Sequence, residues 1–403
     1  MLGKELAVPA SPIRPLGPLR DASWSAILSG LIAVIIGYAG PTVLVFQVAQ
    51  SAHLTESQIA SWLWAYSIAS GITSIVASLR FRMPVITAWS TPGVAFLVTG
   101  LAGVPFAEAV GAFMVSNLLI TLIGAFGLFN RVLQRIPMAL AAALNAGILI
   151  SFGFAIFGAL RSEPLLAGAM MAAFLITRRF SSRWAVAVTL LCGTALCVSL
   201  GRVDTGGLAL IAAVPEWTTP AFSFGSMVSI AIPLTVLALT GQYLPGFAVL
   251  KASGYEPPPD SVVRLCGLAS ILVAPFGCHN VNPSSMIAAI VGSPDTHADP
   301  ARRYIAAISA GVFYLLFGIF ATTFVRLFAA LPKEAVAVLA GTALLGAIGG
   351  SLETAFRSAK PGSLAPLMVF VTTAAGIPFL GLGAAFWGIL VGMAMVHFVE
   401  KNG

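Results

Sequence analysis

The chain has 403 residues, of which 58% are hydrophobic and only 9% charged, with a mean hydropathy of +0.97. A soluble domain carries about a quarter of its residues as charges, so this composition excludes a water-soluble globular protein. The net charge of +7 does not signal nucleic-acid binding either: the basic residues stand singly or in pairs between apolar runs, with no basic and aromatic ribbon.

Residues 1–21 form a Pro-rich tail without the apolar core of a cleavable signal peptide. They are expected to be cytoplasmic. A membrane-crossing helix needs about twenty mainly apolar residues. In chain order, the runs that meet this need are 24–49, 58–79, 107–128, 138–159, 164–177, 184–200, 223–249, 304–328, 335–350, 363–379 and 383–399. Segments 84–103, 261–275 and 281–292 are also apolar but short or broken by Pro and Gly. Together they give an all-α membrane protein of about fourteen crossings.

The basic residues test this count. With the N-terminus in the cytoplasm and sides alternating, only Arg161, Arg202, Arg326 and Lys333 of the 21 Lys and Arg fall outside. Such a bias is the positive-inside pattern, and one crossing more or fewer would destroy it. Both termini are therefore expected in the cytoplasm. Cys192, Cys197, Cys266 and Cys278 lack any metal-ligand or CxxC spacing and read as small apolar side chains. No metal and no cofactor are expected.

The two halves repeat a pattern. A Pro lies within a span at 38–41 (YAGP) and again at 243–246 (YLPG), and a Pro-broken segment follows one span later, at 84–92 and at 275–283. Seven crossings per half would make the second copy inverted. Paired interruptions at matching places are the best sequence pointer to a transporter's binding site; packing kinks without a ligand are the other reading.

In the first break, Ser90 or Thr91 can cap a half-helix that opens at Pro92 and includes Gly93. In the second, Asn282 can cap a half-helix opening at Pro283, with Ser284 and Ser285 in its first turn and Asn280 just before it. Two such N-termini facing each other near the midplane would present free N–H groups and partial positive charge to an anion. Every Asp, Glu, Lys and Arg falls in a loop or at a helix end, so neutral donors and dipoles must do this work. Tyr38, Pro41, Trp89 and Gln242 complete the candidate site, with Phe96, Tyr243 and Phe247 as further flat walls. His279 is the one group of neutral-range titration in a mid-membrane break. It is either a proton carrier or a neutral imidazole bonded to backbone.

At these residues the chain resembles the BenE-type benzoate:proton symporters. The match runs over nearly the whole chain after the tail. It is carried by PVITAWSTPG at 84–93, PGFAVLKASGY at 245–255, FWG at 386–388 and IAAI at 287–290. The resemblance implies proton-driven uptake of benzoate or a close aromatic carboxylate into a bacterium, through the inner membrane. It also implies the UraA-like fold of seven plus seven inverted spans, with a core domain (22–128 and 222–328), a gate domain (129–221 and 329–403) and pairing as a homodimer. A nucleobase:proton symporter of the same fold and a passive anion channel are the alternatives. An enzyme would need a nucleophile, a metal cluster or a carboxylate pair within the spans, and the sequence has none.

Overall fold

The computed structural model describes residues 17–39, 41–181, 184–202, 210–377, 379–380 and 382–400. Most of the tail lies outside these residues, as does Gly40. Where description begins, α1 (Pro18–Asp21) carries the buried Asp21, whose carboxylate accepts from the Tyr304 hydroxyl at 2.7 Å and lies 3.8 Å from Arg302 Nε.

Helices α2 (Trp24–Ala39) and α3 (Pro41–Ser51) share the first crossing. Then α4 (Glu56–Phe81) starts with a capping box between Thr55 and Gln58 and stops at Arg82, which takes a left-handed φ of 55°. A short strand β1 (Thr87–Trp89) and the half-helix α5 (Thr91–Gly100) replace the third span. They are followed by α6 (Phe106–Ala125), the short α7 (Phe129–Arg135), α8 (Met138–Ser162), α9 (Pro164–Phe180) and α10 (Ala185–Ser199).

The second half opens with α11 (Phe224–Ser226), α12 (Ile232–Ala238) and α13 (Leu244–Ala252), which form one continuous 29-residue run. Pro245 lies within a span, as expected. Widened π turns at Met227–Ala231 and Leu239–Tyr243 precede Pro233 and Pro245. A proline ring collides with the carbonyl four residues back in a regular helix; the wider turn moves that carbonyl aside and keeps the helix intact.

The chain continues through α14 (Pro259–Val273), β2 (Val281–Pro283) and the half-helix α15 (Ser285–Val291). It ends with α16 (Tyr304–Ile319), α17 (Ala321–Ala329), α18 (Lys333–Arg357), α19 (Ala365–Ala374) and α20 (Ala384–Ala394). Among the described residues, eight helices are long and apolar enough to cross a membrane, and shorter apolar helices stand at most of the other expected crossings.

The main packings are α4 on α16, α14 on α6, and α8 on α18. The first is a close backbone approach, since a Cβ on Gly71 would lie 2.7 Å from the Gly311 carbonyl and one on Gly311 2.8 Å from the Gly71 carbonyl. Without a hydrophobic drive between helices in lipid, such small-residue contacts supply the packing. Outside this core, Phe154, Phe157, Leu175, Phe180 and Leu191 are exposed, as a lipid-facing surface requires. Cys197, Cys266 and Cys278 are buried and Cys192 half-buried, all as free thiols.

Candidate functional site

The two breaks meet side by side. β1 and β2 pair antiparallel, with Thr87 opposite Pro283, Ala88 opposite Asn282 and Trp89 opposite Val281. A two-stranded ribbon inside a membrane protein has edges whose backbone groups must find partners, and side chains supply them. On the β1 edge, Ser74 Oγ accepts from the Thr87 N–H at 2.9 Å and Ser78 Oγ donates to the Val85 carbonyl at 3.1 Å. The Thr87 hydroxyl lies 2.6 Å from that of Thr73 and 3.0 Å from that of Ser74. On the β2 edge, Ser270 Oγ accepts from the Val281 N–H at 2.9 Å and Asn117 Nδ2 donates to the His279 carbonyl at 2.7 Å.

Each strand feeds a serine-capped half-helix. Ser90 Oγ accepts from the Gly93 N–H at 3.0 Å, and Pro92 stands in the first turn of α5. Ser284 Oγ accepts from the Ile287 N–H at 3.4 Å. This corrects the expectation that Asn282 caps and Pro283 opens the helix. Pro283 has no N–H to lose from a ladder, so strand pairing holds it extended and the helix starts two residues later. The antiparallel pairing points the two N-termini inward from either end of the ribbon. The Ser284 N–H donates to the Ile86 carbonyl at 3.1 Å, so the caps stand at opposite ends of the ribbon, about 13 Å apart along the strand.

Between the caps lie buried polar atoms without a hydrogen-bond partner in the protein: Trp89 Nε1, His279 Nδ1, Asn280 Nδ2, Asn282 Oδ1 and Asn117 Oδ1. Buried polar groups are nearly always satisfied, so these atoms at the breaks make the ribbon the candidate site. Trp89 is stacked on Tyr66 with centroids 3.9 Å apart and planes at 13°. His279 is fully buried between Trp62 and Phe113, with centroids at 5.8 and 6.3 Å, and its Nε2 donates to the Ser90 carbonyl at 3.2 Å. One imidazole thereby joins the second break to the cap of the first. Asn282 Nδ2 donates to Asn280 Oδ1 at 3.1 Å, which leaves one donor and one acceptor of the pair free.

The other expected site residues divide. Thr91 and Ser285 are half-buried in the first turns of their half-helices, and Gly93 is buried with its α-carbon face against Ser90 and the His279 ring. Gln242 is buried on the second π turn. Tyr38 packs 5.9 Å from Trp89 but spends its hydroxyl on Ser67, so it offers a ring rather than a donor. Pro41 opens α3, and its side chain lies outside the described residues. Tyr243 packs on Phe129 and Phe247. Phe96, also buried, lies against Gly100. Sequence reasoning missed Trp62, Asn117, Ser270 and the hydroxyl stripe Ser67, Ser70, Ser74 and Ser78 of α4. That stripe repeats at helical spacing within an apolar span, which is a readable signal.

Trp89→Phe separates ligand binding from packing. The ring stack on Tyr66 survives and no hydrogen bond within the protein is lost, so the stability cost is confined to the cavity left by the smaller ring, about 1–3 kcal/mol. Uptake should nonetheless show a KM raised about fivefold, the worth of one neutral hydrogen bond to a ligand. An unchanged KM in concentration-dependent uptake would remove Trp89 Nε1 from the site.

An antiparallel pair of interrupted segments buried in a helical membrane bundle is a fold shared with solved membrane transporters. Solved structures agree at the level of fold. The transmembrane domain of the cyanobacterial bicarbonate transporter BicA superposes with a TM-score of 0.57 at 16% identity, covering 92% of this chain and 97% of that one. SLC26A9 superposes with a TM-score of 0.60 at 13% identity, covering 93% and 65%. Residues 20–398 match the family of the benzoate membrane transport protein, and the chain belongs to that family: it is a membrane transporter and not an enzyme. It is 41% identical over 380 residues to the benzoate membrane transport protein of Acinetobacter baylyi, covering 94% of this chain and 96% of that one. It is 40% identical over 366 residues to the inner membrane protein YdcO of Escherichia coli, covering 91% and 93%.

Proposed function

We propose that the protein is a secondary active transporter that imports benzoate or a similar aromatic carboxylate with protons across the bacterial inner membrane, its termini in the cytoplasm. The observation that carries this reading is the ribbon with a serine-capped half-helix at each end and orphaned donors between. Free first-turn N–H groups and partial positive charge suit a carboxylate, and Trp89 supplies a flat apolar wall. Among the described residues no carboxylate bonds to the ribbon, which favours an anion over a nucleobase.

The packing supports a seven-plus-seven inverted repeat. If the halves are related by a twofold axis, α4 corresponds to α14 and α6 to α16, and α4 on α16 is then the mate of α14 on α6. The ribbon and its surrounding spans form the core, which moves against a gate built on the α8–α18 pair.

Proton coupling follows from charge. An entering anion opposes the membrane potential by about 2.3 kcal/mol per 100 mV, and one accompanying proton cancels that cost. His279 is the proposed carrier. An imidazolium buried among rings is unfavourable alone, and so is a buried carboxylate. Each makes the other admissible, so the two cross together. Radiolabelled benzoate uptake into proteoliposomes under an imposed proton gradient tests this, with uracil and sulfate as competitors. Accumulation that rises with the gradient and is displaced only by aromatic acids is expected. Accumulation indifferent to the gradient favours a channel, and displacement by uracil a nucleobase carrier.

A further inference from the structure

A cavity of about 580 Å³ opens where α3 and α5 face α8 and α18. Its walls are amphiphilic: Val98, Ala159 and Val336 form apolar sides, while Gln47, Gln50 and Lys333 stand at the polar rim. A volume in this range suits a small organic ligand. Val98 follows the Ser90 cap by eight residues, so the cavity lies about 12 Å along α5 from the ribbon. Under the basic-loop topology it faces outward.

Lys333 is the notable feature of the rim. It occupies the first position of α18, where the helix dipole disfavours a cation. Among the described residues it makes no ion pair within 4 Å, whereas nearby Glu163 and Arg202 are paired at 2.7 Å. That bond to Glu163, helped by Glu334, holds the Arg202 guanidinium more firmly protonated than usual. With Arg202 so engaged, Lys333 is the cation of the cavity lining that can meet an incoming anion.

We infer that this cavity is an outer vestibule that collects the aromatic carboxylate before it reaches the ribbon, with the ring on the apolar walls and the carboxylate at Lys333. This rests on the transport reading above and names the residue that sets capture. Glu334, beside Lys333 in the same lining, works against capture.

Benzoate uptake by the full-length protein, reconstituted and assayed at low and high salt, tests the inference. For Lys333→Gln, KM at low salt should rise about threefold to tenfold, in line with electrostatic steering, with the maximal rate unchanged and the salt dependence flattened. Lys333→Arg should restore both, and Glu334→Gln should lower KM. Val98→Cys should react with a membrane-impermeant thiol reagent, and saturating benzoate should slow that reaction. A wild-type KM and salt response in Lys333→Gln, or labelling of Val98→Cys that ignores benzoate, overturns the vestibule while leaving the transport reading intact. Wild-type protein that takes up no benzoate overturns the transport reading, and the vestibule with it.

Discussion

Gly246→Val is expected to reduce benzoate uptake about a hundredfold, with Gly246→Ala intermediate; misplacing a positioned group by about 1 Å has effects of this size. A Cβ at Gly246 would sit 2.7 Å from the Pro283 carbonyl oxygen and 2.9 Å from Pro283 Cβ. Neither side can yield cheaply. β2 is fixed by its pairing with β1 and by Ser270, and α13 follows directly on a π turn that already accommodates Pro245. The added methyl groups therefore displace the ribbon, and with it the spacing between the two caps. Overpacking of this kind also costs about 1–3 kcal/mol of stability. Initial uptake rates, read beside thermal unfolding in detergent, separate the two effects. Valine at 246 with wild-type rates and stability would show that the α13–β2 approach does not position the site.

That contact also shows what the sequence discloses and what it hides. The breaks at 84–92 and 275–283 were legible because Pro and hydroxyl residues in an apolar run have few structural uses. A cap at Ser90 or Thr91 followed from the same chemistry, and Ser90 takes it. Misassignment of the second cap arose because strand pairing between residues almost two hundred apart decides whether Pro283 is extended or helical, and no local pattern carries that. Pro245 within its span was legible too, but not the π turn that accommodates it. Tyr38 and Tyr243 were plausible ligand walls by residue type, yet Ser67 takes the hydroxyl of one and Phe129 the ring of the other. By contrast, the Ser67, Ser70, Ser74 and Ser78 stripe on α4 was available in the sequence at helical spacing. Its Ser74 and Ser78 hydroxyls anchor β1 and the residues before it.

Coupling is where His279 can be tested against its own hydrogen bond. His279→Gln should abolish gradient-driven accumulation while preserving exchange of labelled for unlabelled benzoate across the same membrane. A glutamine amide can still donate to the Ser90 carbonyl, as Nε2 does at 3.2 Å, so the link between the breaks persists, but it cannot take up a proton. If one proton accompanies each anion, an inward gradient of one pH unit, worth about 1.4 kcal/mol, drives about tenfold accumulation. The wild-type protein should approach that ratio and the Gln variant should stop at equal concentrations. His279→Ala loses the link as well as the proton, and should lose exchange too. Accumulation by His279→Gln at the wild-type ratio would move the proton to another group and leave His279 as the clasp between the two half-helices. The proposed anion site would survive that outcome, because the donors proposed for it are backbone amides, Trp89 and Asn280, none of which titrates.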